Sequence, residues 1–482
     1  MKVKSRNGSI AKIKDEILAV SLFEKEKLPK GISSLGKFVS KEEFEGKQGQ
    51  IAVVNTLEKF NFRKLFIYGL GKKDEFDLDL LRKGAGKAVR YAEGTKSKSL
   101  TILVPNVKNK KDAAQALTEG ALLAKFKFTD YKTGKKDRFK VEKVDIVAEK
   151  VNVSSAVKKG LVLANAQNYV REVNEHPSNV TTPLKMAEYA KKLSREKGLS
   201  LKVFGKNDLK RMKMGAILAV SKGSAQPPVL VIMEYNKGKK LPLYAVVGKG
   251  VTFDSGGINL KPSRGMGEMK YDKSGAVNVL GVMKAVAELK LPIRVIGAFA
   301  ATENMPGGNA QRPSDIVKAY NGKTIEVANT DAEGRMILAD TVSYVCERKP
   351  KAIVDMATLT GAMVVALGKH RIGLFCDDDK LAKAFEIAGE KTHERVWRMP
   401  IDKEYAEMNK GVFGDIKNIG SGKGEGGSIT AAMFVKEFVK DAKWAHLDIA
   451  AVSDFDSPTE YYRIGATGIG VRLVVEALST LR

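Results

Sequence analysis

The heptapeptide Asn329-Thr330-Asp331-Ala332-Glu333-Gly334-Arg335 joins an extended segment, residues 324–328, to an amphipathic segment, residues 336–348. A short polar connection between a strand and a helix is where open α/β sheets place their binding sites. Asp331 and Glu333 are two residues apart, so both carboxylates can face one side of an extended chain. Because ionised carboxylates only accept hydrogen bonds, a converging pair needs a cation, a proton or a donor between them.

The same seven residues also fit an ordinary acidic helix start. In that interpretation Asp331 is the N-cap, Glu333 lies in the first turn, and Arg335 is solvated. The heptapeptide alone does not decide between a ligand site and a helix start.

A second polar cluster, about eighty residues earlier, favours the ligand site. It reads Gly248-Lys249-Gly250-Val251-Thr252-Phe253-Asp254-Ser255-Gly256-Gly257 and continues through Lys261 to Asp272. Like the heptapeptide, it follows an extended segment and precedes a helical pattern. The two clusters together supply four carboxylates, two lysines and an arginine on glycine-rich loops. This combination indicates a divalent-metal site with cationic helpers.

The ligand types point to a pair of hard or borderline metal ions. Carboxylate oxygens suit Mg, Mn and Zn, and neither cluster contains a cysteine. Four carboxylates exceed the need of one ion, so we expect a two-metal centre that can activate water and stabilise an oxyanion. Paired metals with lysine and arginine suit phosphate groups equally, so a phosphatase or phosphoryl-transfer enzyme is an alternative.

Both clusters match one known family in residue type, order and spacing. The chain resembles the leucyl aminopeptidases, two-metal peptidases of the cytosol aminopeptidase family, whose signature is the heptapeptide. The resemblance extends from about residue 173 to the end. It includes residues 174–183, 214–228, 300–313, 355–368 and 445–471. It implies a metal-dependent exopeptidase that releases N-terminal amino acids from peptides.

The resemblance also implies the ligands of two divalent ions per subunit, Zn²⁺ or Mn²⁺. Lys249, Asp254, Asp272 and Glu333 would form the tighter site. Asp254, Asp331 and Glu333 would form the more exchangeable one, with the Asp331 backbone carbonyl as a further ligand. Lys249 must be neutral to act as a ligand, which requires adjacent cations to lower its pKa.

The resemblance further implies that two cationic side chains of this chain assist the reaction. Lys261 would stay charged and polarise the scissile carbonyl. Arg335 would hold a bicarbonate that acts as the general base. The free α-amine of the substrate would bind one metal, which limits cleavage to the first residue.

Several positions match the side-chain pocket of the family, and ordinary core packing is an equal alternative for each. An apolar wall with few polar groups favours Leu- or Met-like residues, although such pockets discriminate weakly by size. The positions are Met269, Thr358, Leu359, Gly361 and either Ala450 or Ala451.

Some positions depart from the family pattern, but none of them is an expected metal ligand or cationic helper. Lys273 stands where the family usually has methionine, Ser314 stands where it usually has glycine, and residues 411–415 match a family loop only loosely. These departures affect the expected substrate preference rather than the expected reaction.

Length and periodicity predict an α/β protein with two domains. At 482 residues the chain is too long for one ordinary domain. Strand-like and helix-like segments alternate throughout, which indicates largely parallel sheets covered by helices. We expect a smaller N-terminal α/β domain for assembly or regulation (1–155), a bridging helix (156–175), and a larger catalytic α/β domain with a central, mostly parallel sheet (176–482).

The net charge of +27 is unevenly placed, since residues 1–160 carry +16 of it. This surplus predicts weak, non-specific nucleic-acid binding that falls linearly with the logarithm of salt concentration. A solubilising surface is the favoured alternative, because no basic run interleaves with aromatic residues. A dedicated nucleic-acid-binding protein would leave the acidic cluster without an explanation.

The remaining sequence features concern the cellular location of the protein and its assembly. Cys346 and Cys376 cannot form a disulfide framework, which suits a reducing compartment. No signal peptide or membrane segment is readable, so we expect a cytoplasmic protein. A homohexamer is implied by the family resemblance alone.

Overall fold

The computed structural model describes residues 1–8, 10, 13–40, 42–134, 141–422 and 424–481. The chain divides into two compact units. Unit 1 comprises Met1–Asn168 and Asp456–Ile464, and unit 2 comprises Tyr169–Phe455 and Gly465–Arg482. A short segment near the end of the chain thus belongs to unit 1.

Unit 1 is an α/β sheet structure. Its strands are β1 (Lys2–Asn7), β2 (Ile17–Leu22), β3 (Ile51–Asn55), β4 (Lys64–Gly69), β5 (Ser99–Leu103) and β6 (Lys143–Ala148). Its helices are α1 (Leu78–Gly94), α2 (Lys110–Lys125) and the first part of α3 (Ser154–Glu175), with a 3₁₀ helix at Lys30–Phe38. Within the described residues the strands form one sheet in the order β1-β6-β5-β2-β4-β3, parallel except for the β3–β4 pair.

Unit 2 contains the larger sheet and, within the described residues, two smaller sheets. Its strands are β7 (Ser200–Phe204), β8 (Val229–Tyr235), β9 (Leu243–Asp254), β10 (Arg294–Asn304), β11 (Ile316–Lys318), β12 (Thr324–Glu326), β13 (Ala352–Ala357), β14 (Ile372–Cys376), β15 (Val396–Arg398), β16 (Ile416–Lys417), β17 (Lys443–Asp448), β18 (Asp454–Phe455) and β19 (Gly465–Ala466). The helices after α3 are α4 (Pro183–Lys197), α5 (Lys206–Arg211), α6 (Gly215–Ser221), α7 (Ser274–Leu289), α8 (Glu333–Cys346), α9 (Gly361–Leu367), α10 (Asp379–Thr392), α11 (Lys403–Glu407), α12 (Gly427–Lys436) and α13 (Val471–Thr480). Short 3₁₀ helices lie at Met266–Tyr271 and Gly368–His370.

The centre of the larger sheet is parallel, as the sequence predicts. Among the described residues the strand order is β15-β14-β17-β13-β9-β10-β8-β7, and the four strands β17, β13, β9 and β10 run parallel. Central strand β9 is apolar and buried nearly throughout, as expected for a strand covered on both faces. The confirmed fold class is therefore a two-domain α/β architecture with a larger, mostly parallel central sheet.

Helices α7 and α8 cover opposite faces of β9. A Cβ atom on Gly250 would contact Ala276 of α7, whereas the side chain of Lys249 contacts Gly334 of α8. Neighbouring residues of a strand point to opposite faces, so the two helices lie on either side of the sheet. This alternation sends Lys249 toward the heptapeptide.

The predicted elements agree with the structure best where a local signal marks their ends. Helix α4 begins at Pro183, and the Thr182 hydroxyl accepts a hydrogen bond from the Lys185 backbone N–H, as its capping sequence predicts. Helix α13 begins at Val471, directly after Gly470, whose φ of 110° lies outside the range of a right-handed helix. No helix in the described part of the chain is long and apolar enough to cross a membrane.

Asp340 ties helix α8 to two neighbouring segments. It is fully buried, and its carboxylate accepts hydrogen bonds from the backbone N–H groups of Ile217 at 2.9 Å and Tyr320 at 2.7 Å. Burial raises the pKa of Asp340 to about 7, although these backbone donors oppose the shift. Asp340 lies outside the heptapeptide, and its role is structural.

We expect Asp340→Asn to lower the free energy of unfolding by about 1–3 kcal/mol, because one backbone N–H would face the amide NH₂. The loss should be larger at pH 5 than at pH 8. The folded state holds the Asp340 proton up to about pH 7, whereas the unfolded chain releases it near 3.8. The wild-type protein is therefore stabilised by this proton at low pH, and the stabilisation is lost as the pH rises through 7. Urea unfolding at both pH values measures the difference, with the exposed Asp441→Asn as control. An equal loss at the two pH values would mean that the buried carboxyl is already charged in the folded protein at pH 5.

Candidate metal centre

The predicted site residues meet at the carboxyl ends of the neighbouring strands β9 and β13, although the heptapeptide itself follows β12 of a separate small sheet. Lys249 and Asp254 belong to β9, and residues 358–361 directly follow β13. Glu333 is the first residue of α8, which packs against β9. The sheet therefore brings both polar clusters to one edge, where α/β folds bind their ligands.

The heptapeptide folds as a hydrogen-bonded turn rather than as a capped helix start. Helix α8 begins at Glu333 without a side-chain cap, and the Asp331 N–H donates to Asn329 Oδ1 at 2.7 Å. The side chain of Arg335 is only 8% exposed. The helix-start interpretation is thus wrong for Asp331 and Arg335 and right for Glu333 in the first turn.

Asn418 holds the turn from the other side. Its Oδ1 accepts a hydrogen bond from the Ala328 N–H at 2.7 Å, and its Nδ2 donates to the Asn329 carbonyl at 2.7 Å. Its own carbonyl accepts a hydrogen bond from Arg335 at 2.7 Å. The side chain and the backbone carbonyl of this one buried residue thereby position both ends of the heptapeptide.

Thr330 joins the heptapeptide to the loop after β9. Its hydroxyl donates to the Gly256 carbonyl at 2.6 Å and accepts from the Asn259 N–H at 2.9 Å. Gly256 has a φ of 89°, and a Cβ there would lie 3.0 Å from Asp331 Oδ1. The glycine lets the two loops approach closely enough for their carboxylates to share a site.

Three buried carboxylates converge at the strand ends. Asp254, Asp272 and Glu333 are at most 5% exposed, and each offers one oxygen within 4.8 Å of the others. Asn304 orients the first of them, since its Nδ2 donates to Asp254 Oδ1 at 2.8 Å. Asp331 lies beside this group but is more exposed. Such a set of oxygen donors can hold a divalent cation.

Each lysine bridges two of the carboxylates. Lys249 Nζ lies 2.7 Å from Asp272 Oδ1 and 2.8 Å from Glu333 Oε1, and its side chain is 4% exposed. Lys261 Nζ lies 2.9 Å from Asp254 Oδ2 and 2.5 Å from Asp331 Oδ1, and its side chain is 21% exposed. Lys249 is therefore enclosed, whereas Lys261 reaches the cavity surface.

Packing explains the glycine of the heptapeptide. A Cβ on Gly334 would lie 2.5 Å from Cε and 2.7 Å from Nζ of Lys249. Any larger residue would displace the lysine from Asp272 and Glu333.

The cluster carries more carboxylates than ammonium groups, and their pKa values reflect this. Burial and the charge of Asp254 raise the pKa of Glu333 to about 8, and burial likewise raises the pKa of Asp272. Burial alone would lower the pKa of Lys249, but Asp272 and Glu333 outweigh it and raise that pKa. Divalent cations would supply the positive charge that the buried carboxylates lack.

Two buried polar atoms fit the groups that the resemblance implies. Asp272 Oδ2 and Arg335 Nε are buried and make no hydrogen bond within the described residues. A free carboxylate oxygen suits a metal ion, and a free guanidinium N–H suits a small anion such as bicarbonate. The donor set therefore fits both groups.

A cavity of about 500 Å³ opens above the carboxylates. The expected site residues that line it are Lys249, Asp254, Lys261, Met269, Asp272, Asp331, Arg335, Thr358, Leu359, Gly361 and Ala450. Ala450 rather than Ala451 lines the cavity, since Ala451 is 2% exposed and lies outside its wall. Glu333 is 1% exposed and does not line the cavity.

Sequence reasoning missed three buried residues that position the site. Asn304 and Asn418 lie far from both clusters in sequence, and Asp448 follows an apolar strand without a motif. Each makes at least one hydrogen bond to a backbone group distant in sequence, and such a bond leaves no spacing pattern to detect.

A parallel α/β sheet with convergent buried carboxylates and lysines at its strand ends is characteristic of a metal-dependent hydrolase. Residues 168–475 match the model of the cytosol aminopeptidase family catalytic domain, and residues 19–135 match that of its N-terminal domain. The chain belongs to the cytosol aminopeptidase family, whose members are metal-dependent exopeptidases and hydrolyse peptides.

Relatives of similar length support this membership. A probable cytosol aminopeptidase of Aquifex aeolicus is 42% identical, over 99% of this chain and 98% of the relative. One of Roseiflexus castenholzii is 40% identical, over 99% of each chain. Among solved structures, a tomato leucine aminopeptidase mutant is 30% identical with a TM-score of 0.89, over 99% of this chain and 96% of that one. The bottromycin maturation enzyme BotP in complex with Mn is also 30% identical, with a TM-score of 0.87 over 97% and 99%.

We expect added Mn²⁺ to raise the melting temperature, because an ion that binds only the folded state stabilises it by mass action. Asp272→Asn should reduce this increase, because it replaces the free Oδ2 or its partner oxygen by an amide nitrogen. Differential scanning fluorimetry across a Mn²⁺ series measures the effect, with Asp441→Asn as control. An unchanged Mn²⁺ response in Asp272→Asn would exclude this carboxylate as a ligand.

Proposed function

We propose that this protein is a leucyl aminopeptidase that releases N-terminal amino acids, preferably Leu- or Met-like ones, from peptides. The observation that carries the proposal is a cavity that opens above three buried carboxylates and is lined by two lysines, an arginine and an apolar wall. Asp254, Asp272, Asp331, Glu333 and Lys249 would hold two divalent ions, Zn²⁺ or Mn²⁺. Such ions supply an activated water and polarise the substrate carbonyl.

The two lysines would have different tasks, because their surroundings differ. Lys249 is enclosed between Asp272 and Glu333, so it would act within the metal site. Lys261 lies on the cavity surface, where its charge can stabilise the oxyanion that develops from a scissile carbonyl. Its contacts with Asp254 and Asp331 keep its pKa above the usual range despite burial.

Arg335 would hold a bicarbonate, which would serve as general base. The guanidinium lines the cavity and donates one hydrogen bond to the Asn418 carbonyl, while its Nε makes no hydrogen bond within the described residues. Burial lowers the pKa of Arg335 to about 10, which still leaves it charged at neutral pH. A fixed cation at this position suits a small oxyanion.

The apolar wall would select the first side chain of the peptide. Met269, Thr358, Leu359, Gly361 and Ala450 line the cavity beside the carboxylates. Cytoplasmic location and homohexameric assembly belong to the same proposal, as does weak, salt-dependent nucleic-acid binding by the lysine-rich residues 1–160.

Hydrolysis assays separate this function from phosphate chemistry, which paired metals with lysine and arginine also suit. The protein loaded with Mn²⁺ should hydrolyse a Leu-anilide and leave a nitrophenyl phosphate intact. Exhaustive chelation should abolish the activity, and Mn²⁺ or Zn²⁺ should restore it. Phosphate release without anilide hydrolysis, or full activity in metal-free protein, would overturn the proposal.

Substitution of the lysines tests their assignment. We expect Lys261→Ala to lower kcat by about 10²–10³, the effect of one lost oxyanion donor, with the metal content unchanged. Lys249→Ala should instead lower the bound metal, which elemental analysis of the purified variants measures. The opposite pattern, with metal lost only in Lys261→Ala, would exchange the two roles.

A further inference from the structure

Two segments that line the cavity meet at one buried side chain, Asp448. This residue ends β17 and is fully buried. Its Oδ1 accepts hydrogen bonds from the Leu359 N–H at 3.2 Å and the Ala450 N–H at 3.1 Å. Its Oδ2 accepts one from the Thr360 hydroxyl at 2.7 Å. The carboxyl thus holds the backbone on both sides of the apolar wall.

The loop after β13 is anchored at its other end by the metal site. The Thr358 hydroxyl donates to Asp272 Oδ1 at 2.7 Å, and the Thr358 carbonyl accepts a hydrogen bond from Lys249 at 2.9 Å. Residues 358–360 therefore span from the proposed ligands to Asp448. Their two anchors fix the distance between the carboxylates and the apolar wall.

A rigid base supports the Asp448 anchor. Its neighbour on the same face of β17 is His446, whose Nδ1 lies 2.5 Å from Asp355 Oδ1. Trp444, one step further along that face, donates from Nε1 to Asp355 Oδ2 at 2.7 Å. Asp355, His446 and Trp444 are each at most 1% exposed, so the strand beneath Asp448 has little freedom to move.

The first turn of α9 depends on the same anchor. The Thr360 hydroxyl accepts a hydrogen bond from the Met363 N–H at 3.3 Å while it donates to Asp448. Gly361, the first residue of α9, lines the cavity. Loss of the carboxyl would release Leu359, Thr360 and the helix start together.

We infer that Asp448 is a positioning residue for substrate selection, which sets the apolar wall at the distance from the metal site that a Leu-sized side chain requires. The inference rests on the proposed aminopeptidase function and assigns Asp448 no contact with the reacting atoms. Selectivity in such a pocket depends on close packing, where one methylene changes kcat/KM by about 10–200-fold.

Three variants test the inference by kcat/KM for Leu-anilide and Ala-anilide. Asp448→Ala removes both acceptors, so we expect its Leu-over-Ala ratio to fall about tenfold or more, mainly through a raised KM for Leu-anilide. Asp448→Asn should keep the ratio within about threefold, because one amide oxygen can accept both N–H groups while its NH₂ donates to Thr360. Metal content and the Mn²⁺-induced rise in melting temperature should be unchanged in both variants.

Thr360→Val provides a second measurement that leaves Asp448 in place, in case Asp448→Ala does not fold. It removes the bond to Oδ2 and the longer bond from the Met363 N–H, but it keeps the bonds from Leu359 and Ala450 to Oδ1. It should therefore lower the Leu-over-Ala ratio by less than Asp448→Ala does. An unchanged ratio in Asp448→Ala, or in Thr360→Val when the alanine variant is unfolded, would overturn the inference. So would an equal loss of selectivity in Asp448→Asn, because the charge rather than the position would then matter. A wild-type protein without Leu-anilide activity would overturn the proposed function itself.

Discussion

The concentration of buried negative charge at the ends of the central strands is the constraint on which the site depends. Asp254, Asp272 and Glu333 are placed close together in surroundings where a lone carboxylate would be strongly destabilised. Lys249 and Lys261 neutralise part of this charge through contacts of 2.5 to 2.9 Å. Burial still raises the pKa of Glu333 to about 8, so the cluster favours further cations. The structure holds this unfavourable arrangement because the surrounding sheet and helices are closely packed.

Close backbone approach makes such crowding feasible. Gly256 and Gly334 leave room for Asp331 and Lys249, respectively, where a Cβ would come within 3.0 Å or less of a charged side chain. Neutral side chains then fix the loops without adding charge. Thr330 joins the two clusters, and Asn418 forms hydrogen bonds to the backbone at the start of the heptapeptide. Charge and position are thus supplied by different residues, which allows the charged groups to face one another.

Substrate selection is coupled to this centre through a short loop. Thr358 is bonded to Asp272 and Lys249, and two residues later Thr360 is bonded to Asp448. A change at either anchor would alter the wall of the cavity as well as its own surroundings. Lys273, the residue after Asp272, is fully buried and donates to the carbonyls of Asn174 and His176. These polar contacts hold the segment next to Asp272 in place.

The sequence by itself determined the fold class and the residue types of the site. Alternating apolar segments predict the parallel sheet, and the two clusters predict convergent carboxylates because both follow strands. Local signals with a direct physical cause, such as the Thr182 cap, also located a helix start correctly. Only the tertiary structure decided that Asp331 is not a cap, that Arg335 is buried, and that Ala450 rather than Ala451 lines the cavity. The roles of Asn304, Asn418 and Asp448 were found in the same way, because each bonds to a backbone group distant in sequence and hydrogen bonds of that kind impose no periodicity.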